Sequence, residues 1–110
     1  MSDHPTLDLS PLVIPDHEPE ATIAERYSAW IAANPWVLDA MERLIADWLD
    51  AGHKRAGIKQ FWEVLRWEYG RTQGNEFKAN NDYTSRISRD LIARHPDWQA
   101  AIETRALRAA

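Results

Sequence analysis

The chain contains no cysteine. That excludes disulfides, thiolate metal sites and cysteine nucleophiles, and it fits a reducing compartment. No apolar run approaches the roughly 18 residues of a membrane span. No basic region followed by an apolar run opens the chain, so no signal peptide is readable and the expected location is cytoplasmic. There are only four glycines, and none form a phosphate-cradling loop; "GHKRAG" at residues 52–57 lacks the required spacing. Positive charge is scarce in the first half. Residues 1–52 hold two arginines against ten acids, a net of −8, whereas residues 53–110 hold eleven lysines and arginines against seven acids, a net of +4. A basic half beside an acidic half suits a polyanion-facing surface, or two halves that attract each other.

Much else is present. The 110 residues are the length of one domain, and 45% of them are hydrophobic. Six tryptophans are a heavy load for this length. Each removes on the order of 150–250 Å² from water when buried, so a few can organise a core without disulfides.

Residues 1–20 carry Pro5, Pro11, Pro15 and Pro19, which oppose helix and favour extended chain. Leu7, Leu9, Leu12, Val13 and Ile14 are too apolar for a solvated tail. An extended, partly mobile segment that docks on the body is expected there, followed by one helical domain over 21–110.

Apolar spacing then predicts about five helices. Thr22 and Glu25 have the spacing of a capping box, and Ile23, Tyr27, Trp30 and Ile31 share one face. Asn34-Pro35 ends this helix, with Asn34 expected to cap the next and Pro35 at its first position. The second helix reaches about Ala51, with Val37, Met41, Leu44, Ile45, Trp48 and Leu49 as its apolar stripe and Gly52 as its stop. The third runs from about Ile58 to Tyr69, with Ile58, Phe61, Trp62, Leu65 and Tyr69 facing inward and Gly70 as its stop. The fourth runs from after Asn81 to about Arg94, with Ile87 and Leu91 as its firmest core positions and Tyr83 or Thr84 a turn earlier. The fifth runs from Pro96 to about Leu107, with Trp98, Ala101, Ile102 and Leu107 expected to be buried. The loop between the third and fourth has room for a short strand near Phe77–Asn81. The expected class is all-α in a single compact domain.

The stretch "FKANNDYTSRISRDL", residues 77–91, is the main functional candidate. A third helix, a connection and a fourth helix follow the order of a helix-turn-helix pair, in which the start of the second helix meets base edges. Tyr83, Thr84, Ser85, Arg86 and Arg89 are suitable types, and Asn80 and Asn81 can bond phosphates or adenine edges. Lys78, Arg71, Lys54, Arg55 and Lys59 are candidate phosphate contacts. A plainer account also fits. Asp82, Arg86, Asp90 and Arg94 recur every four residues with alternating sign, which predicts the pairs Asp82–Arg86 and Asp90–Arg94 on a solvated face. The connection after Gly70 is also longer than the 3–4 residues of a simple turn.

A second class of function is a protein-interaction module. Its acidic first half, through Asp39, Glu42, Asp47 and Asp50, would face a basic partner. Self-association fits either class. Catalysis has no constellation to rest on: the serines lack a nucleophile motif, and Glu63 and Glu68 point to different faces of one helix. His4, His17, His53 and His95 lack metal-ligand spacing, so no metal or cofactor is expected. Trp30, Trp48, Trp62 and Trp98 lie on apolar stripes. Trp36 and Trp67 fit theirs less well but are expected to be buried.

"RAGIKQFWEVLRWEYG", "FKANNDYTSRISRDLI" and "IETRALR", about half the chain, resemble a group of small helical proteins encoded by bacteriophages and bacterial genomes. The likeness extends weakly to "ANPWVLDAMERL". It implies a phage or mobile-element setting, in which small helical proteins regulate transcription or inhibit host machinery. It implies no particular activity.

Overall fold

A computed structural model describes residues 7–102. Within them lie four α-helices and one 3-10 turn: α1 (Ile23–Ala33), α2 (Pro35–Asp50), α3 (Ile58–Gln73), α4 (Tyr83–Arg94) and the turn Pro96–Trp98. The all-α class holds, with four α-helices among the described residues instead of five. The expected fifth helix is, where described, the 3-10 turn, and residues 103–107 lie outside the described range. Trp98 is buried and stacks on His95 at 3.9 Å. Just beyond, the Ala56 N–H donates to the Ala101 carbonyl at 2.8 Å, and Ala56 and Ile102 form an isolated parallel bridge.

Helix starts and stops follow local chemistry in part. The Glu25 N–H donates to the Thr22 hydroxyl at 3.1 Å, and the Thr22 N–H donates to the Glu25 carboxylate at 2.8 Å, so the capping box is closed. Hydrogen bonding to Thr22, chiefly from its backbone N–H, holds the Glu25 carboxyl below its ordinary range. Gly52 follows α2 with φ 105°, a left-handed conformation that side chains resist. α3, however, passes through Gly70 and ends at Gly74, where φ is 73°. A glycine inside a helix costs only about 1 kcal/mol relative to alanine. The last turn offsets part of that with an Arg71–Glu68 ion pair and a Thr72 hydroxyl donating to the Glu68 carbonyl at 2.8 Å.

Asn34 does not cap α2 with its side chain. It is fully buried, and its amide is used by the N-terminal segment. The Val13 N–H donates to Asn34 Oδ1 at 2.8 Å, while Asn34 Nδ2 donates to the carbonyls of Val13 at 2.8 Å and Trp30 at 2.9 Å. One residue earlier, the Leu12 N–H donates to the Tyr69 hydroxyl at 2.9 Å. Leu7, Leu9 and Leu12 pack on the core, so this stretch of the segment lies on the helices.

The core is unusually aromatic at one end. Phe77 is 1% exposed and lies 5.2 Å from the Trp62 ring and 5.4 Å from Tyr69, with Trp30 and Trp36 at 6.3 and 6.4 Å. Phe77 therefore pins the α3–α4 connection, residues 74–82, to the body. That connection forms no strand.

Candidate nucleic-acid interface

The stretch that begins α4 splits into an inner and an outer set. Tyr83 and Thr84 are buried. Tyr83 packs against Trp30 at 5.1 Å and Tyr27 at 5.3 Å, and the Thr84 hydroxyl donates to the Asn81 carbonyl at 3.1 Å. The spacing placed one of the two in the core; both are buried, so neither is left at the surface as a candidate base contact. The two asparagines stay exposed, but their side chains shape the loop. Asn80 Oδ1 accepts from the Asp82 N–H at 2.8 Å, and Asn81 Oδ1 accepts from Arg66 at 2.8 Å. Lys78 and Arg89 are exposed, and Ser85 and Arg86 are half-buried. The connection from Gln73 to Tyr83 is nine residues, so the tight helix-turn-helix turn is not formed.

The expected charge ladder along α4 is also replaced. Asp90 accepts from the Tyr27 hydroxyl at 2.6 Å. Arg94 reaches across to α2, with Nη1 at 2.9 Å from Asp39 and 2.8 Å from Glu42. Tertiary partners outcompete neighbours along the helix because an i,i+4 pair contributes only about 0.2–0.5 kcal/mol. Burial pushes the Tyr27 phenol well above its ordinary range, reinforced by the hydrogen bond to Asp90 and its charge; Arg86 and Arg94 oppose this.

Four arginines are therefore compensated. Arg43 pairs with Asp47 at 3.5 Å, Arg71 with Glu68 at 2.9 Å, and Arg94 with Asp39 and Glu42. Arg66 lies 3.4 Å from Glu63, close enough for charge attraction but poorly aligned for a hydrogen bond. Among the described residues no carboxylate lies within ion-pair distance of Arg26, Lys54, Arg55, Lys59, Lys78, Arg86 or Arg89. Six of these seven were candidates from the sequence. Arg71, also a candidate, is occupied by Glu68, and its guanidinium lies 5.4 Å from the Trp67 ring.

The uncompensated cations fall in two groups. Arg26 and Lys78 line one hollow, and Arg86 and Arg89 line another between α1 and α4. Lys54, Arg55 and Lys59 flank Ala56, whose partners Ala101 and Ile102 follow the end of α4.

The acidic candidates are partly consumed. Asp39 and Glu42 bind Arg94, Glu42 also meets His95 at 2.6 Å, and Asp47 meets Arg43. Asp50 is exposed with no ion pair among the described residues. Trp67, expected to be buried, is 64% exposed, with Val64 one turn earlier at 38%. Its offset from the Phe61–Leu65–Tyr69 line was the signal, because among the described residues that side of α3 is left open. Arg26 went unnoticed because it is one of only two arginines in the acidic half and fits no charge pattern.

No group of three or more histidine and carboxylate side chains suited to a metal occurs among the described residues. None of the described helices is long and apolar enough to cross a membrane. No protein-family model matches this chain, and no curated protein or solved structure matches it either.

Proposed function

We propose that this protein binds nucleic acid, in the first instance DNA, through phosphate contacts. Arg26, Lys78, Arg86 and Arg89 form the main contact set, with Lys54, Arg55 and Lys59 as a second group. The supporting observation is the sorting of charges: four arginines are spoken for by carboxylates, while these seven cations have no carboxylate partner among the described residues. A surface cation without a partner is free to displace counterions from a phosphate backbone. The overall charge of −4 opposes this only weakly, since repulsion beyond about 8 Å is screened at physiological salt. With Tyr83 and Thr84 buried and both asparagines engaged in the loop, Ser85 and Arg89 are what remain for base edges. The binding is therefore expected to be governed by the backbone more than by sequence. The resemblance to small phage-encoded helical proteins supports a regulatory setting.

The test is a salt series of binding to a duplex of random sequence. Four phosphates neutralised correspond to a slope of log affinity against log salt of about −3.6. A slope near zero, or no binding at low salt, overturns the reading.

A protein-interaction module is the second reading, and the exposure of Trp67 beside Val64 favours it. Exposed tryptophan is a frequent interface anchor. That observation moves the contact from Asp39, Glu42, Asp47 and Asp50 to the outer face of α3. A stoichiometric complex with one defined partner, lost on Trp67→Ala and kept on Asp50→Lys, is its expected signature.

A further inference from the structure

Residues 15–21 run as a strap between two anchors. At one end the Val13 backbone is bonded to the buried Asn34 amide, and the Leu12 N–H donates to the Tyr69 hydroxyl at 2.9 Å. At the other end the Thr22–Glu25 capping box fixes the start of α1. Between these anchors no side chain joins the core cluster, and every side chain from Asp16 to Glu20 is exposed. The hydrogen bonds within the strap are local, such as the Ala21 N–H donating to the Glu18 carbonyl at 3.0 Å. A stretch with so few buried contacts opens at low cost. Pro15 and Pro19 keep it out of helix. With Asp16, Glu18 and Glu20 and a neutral His17, the strap carries a charge of −3, and no Lys or Arg precedes Arg26 in the chain.

The strap lies against two cations. Asp16 and His17 line the same hollow as Arg26 and Lys78. Glu18 and Glu20 flank Pro19, whose carbonyl lies 3.5 Å from an Nη nitrogen of the half-buried Arg26. Neither cation and none of the three strap carboxylates is in an ion pair among the described residues. Opposite charges are thus gathered at one place without being locked together. Arg86 and Arg89 differ in this respect: the hollow that they line has no strap residue in its wall.

We propose that the strap is an autoinhibitory counter-charge: its carboxylates shield Arg26 and Lys78, and a nucleic-acid backbone must displace them to reach these two cations. The regulation rests on the nucleic-acid reading above, whereas the electrostatic latch itself does not. Tethered at both ends, the carboxylates stay beside the cations at an effective concentration on the order of millimolar. Exposed ion contacts are weak and screened by salt, so the latch yields to a polyanion. Binding then begins at the open pair, Arg86 and Arg89, and is completed when the strap lifts from Arg26 and Lys78.

The test has two arms, both on the full chain. Because the chain has no cysteine, His17→Cys accepts a single nitroxide, which reports the position of the strap as broadening of the Lys78 and Asn80 amide signals in ¹H–¹⁵N spectra. Broadening is expected at low salt. It should fall in about 1 M salt, where charges are screened beyond about 3 Å. It should fall equally at low salt when Asp16→Asn and Glu18→Gln are added. The control pair Asp8→Asn with Asp97→Asn removes the same charge from exposed residues outside this hollow and should leave the broadening in place. Broadening that is absent at low salt, or that survives both salt and strap neutralisation, overturns the latch.

In the second arm, a duplex of random sequence is titrated at low salt without the label. Asp16→Asn with Glu18→Gln should tighten binding roughly fivefold, the equivalent of two weak surface ion contacts, and the control pair should change it much less. Equal gains from the two pairs reduce the effect to net charge and overturn autoinhibition. If no variant binds the duplex, the proposed function and the regulation built on it both fall, and the label alone decides the latch.

Discussion

The Asn34 side chain mimics a strand partner for Val13, accepting from its N–H and donating to its carbonyl at 2.8 Å each. A third bond, from Nδ2 to the Trp30 carbonyl at 2.9 Å, fixes the amide on the last turn of α1. One buried residue thus ties the N-terminal segment to the junction of α1 and α2. Replacing Asn34 by Ala removes these bonds and leaves backbone groups without partners, which costs about 1–3 kcal/mol. Denaturant unfolding should show that loss, and the Val13 amide should lose its protection against hydrogen exchange. Unchanged exchange at Val13 would mean that the packing of Leu7, Leu9 and Leu12 and the Leu12–Tyr69 hydrogen bond suffice to hold the segment.

Phe77 makes the α3–α4 connection part of the core. Phe77→Ala should lower stability by about 3–5 kcal/mol, as large aromatic truncations in packed cores do. It should also loosen Lys78 and Asn80, raising their amide exchange more than that of the α2 residues. A cost below about 1 kcal/mol would show that the connection collapses into the space and that the aromatic cluster is not cooperative.

The Tyr27–Asp90 bond sets an alkaline limit. The folded pKa of Tyr27 is raised above its ordinary value of about 10, chiefly by burial. A raised pKa gives stability that is complete below the unfolded value and lost as pH climbs from there toward the folded value. Wild-type stability should therefore fall above pH about 10 more steeply than that of Tyr27→Phe. Unfolding free energies at several alkaline pH values, with tyrosinate absorbance followed in parallel, check this. Parallel pH curves for the two proteins would remove Tyr27 from the account.

Helical spacing carried most of the architecture. The stripes of α1 to α4 placed Tyr27, Trp30, Met41, Ile45, Phe61, Trp62, Leu65, Ile87 and Leu91 inside, because burial of a continuous face outweighs local preference. Single-residue chemistry was less legible. Asn34 before Pro35 has the form of a cap, yet a docked segment twenty-one residues away supplies better partners for its amide. Gly70 has the form of a stop, yet helix continues because its cost is small. Arg94 has an i−4 partner available in Asp90, yet Asp39 and Glu42 are nearer in space. Of the candidate site, the cations were readable from composition and one of Tyr83 and Thr84 was readable as core; that both are buried was not, since it depends on how α4 rotates against α1.

Trp67 separates stability from recognition. Its exposure predicts that Trp67→Ala changes stability by no more than about 0.5 kcal/mol, against several kcal/mol for Trp62→Ala. Iodide should quench Trp67 fluorescence far more than that of the core tryptophans. A large stability loss on Trp67→Ala would instead mean that the outer face of α3 is covered in solution.

The most direct measurement is fluorescence anisotropy of labelled duplex DNA, single-stranded DNA and RNA titrated with wild-type protein, the double variant Lys78→Glu with Arg89→Glu, and Arg43→Glu. Arg43 is already paired with Asp47, so its reversal, which carries half the charge change of the double variant, is the control for a cation outside the contact set. The account predicts salt-dependent binding to at least the duplex that is lost in the double variant and changes little in Arg43→Glu. Equal loss in both variants would reduce the effect to net charge, and no binding by wild-type protein at low salt would contradict the nucleic-acid reading outright.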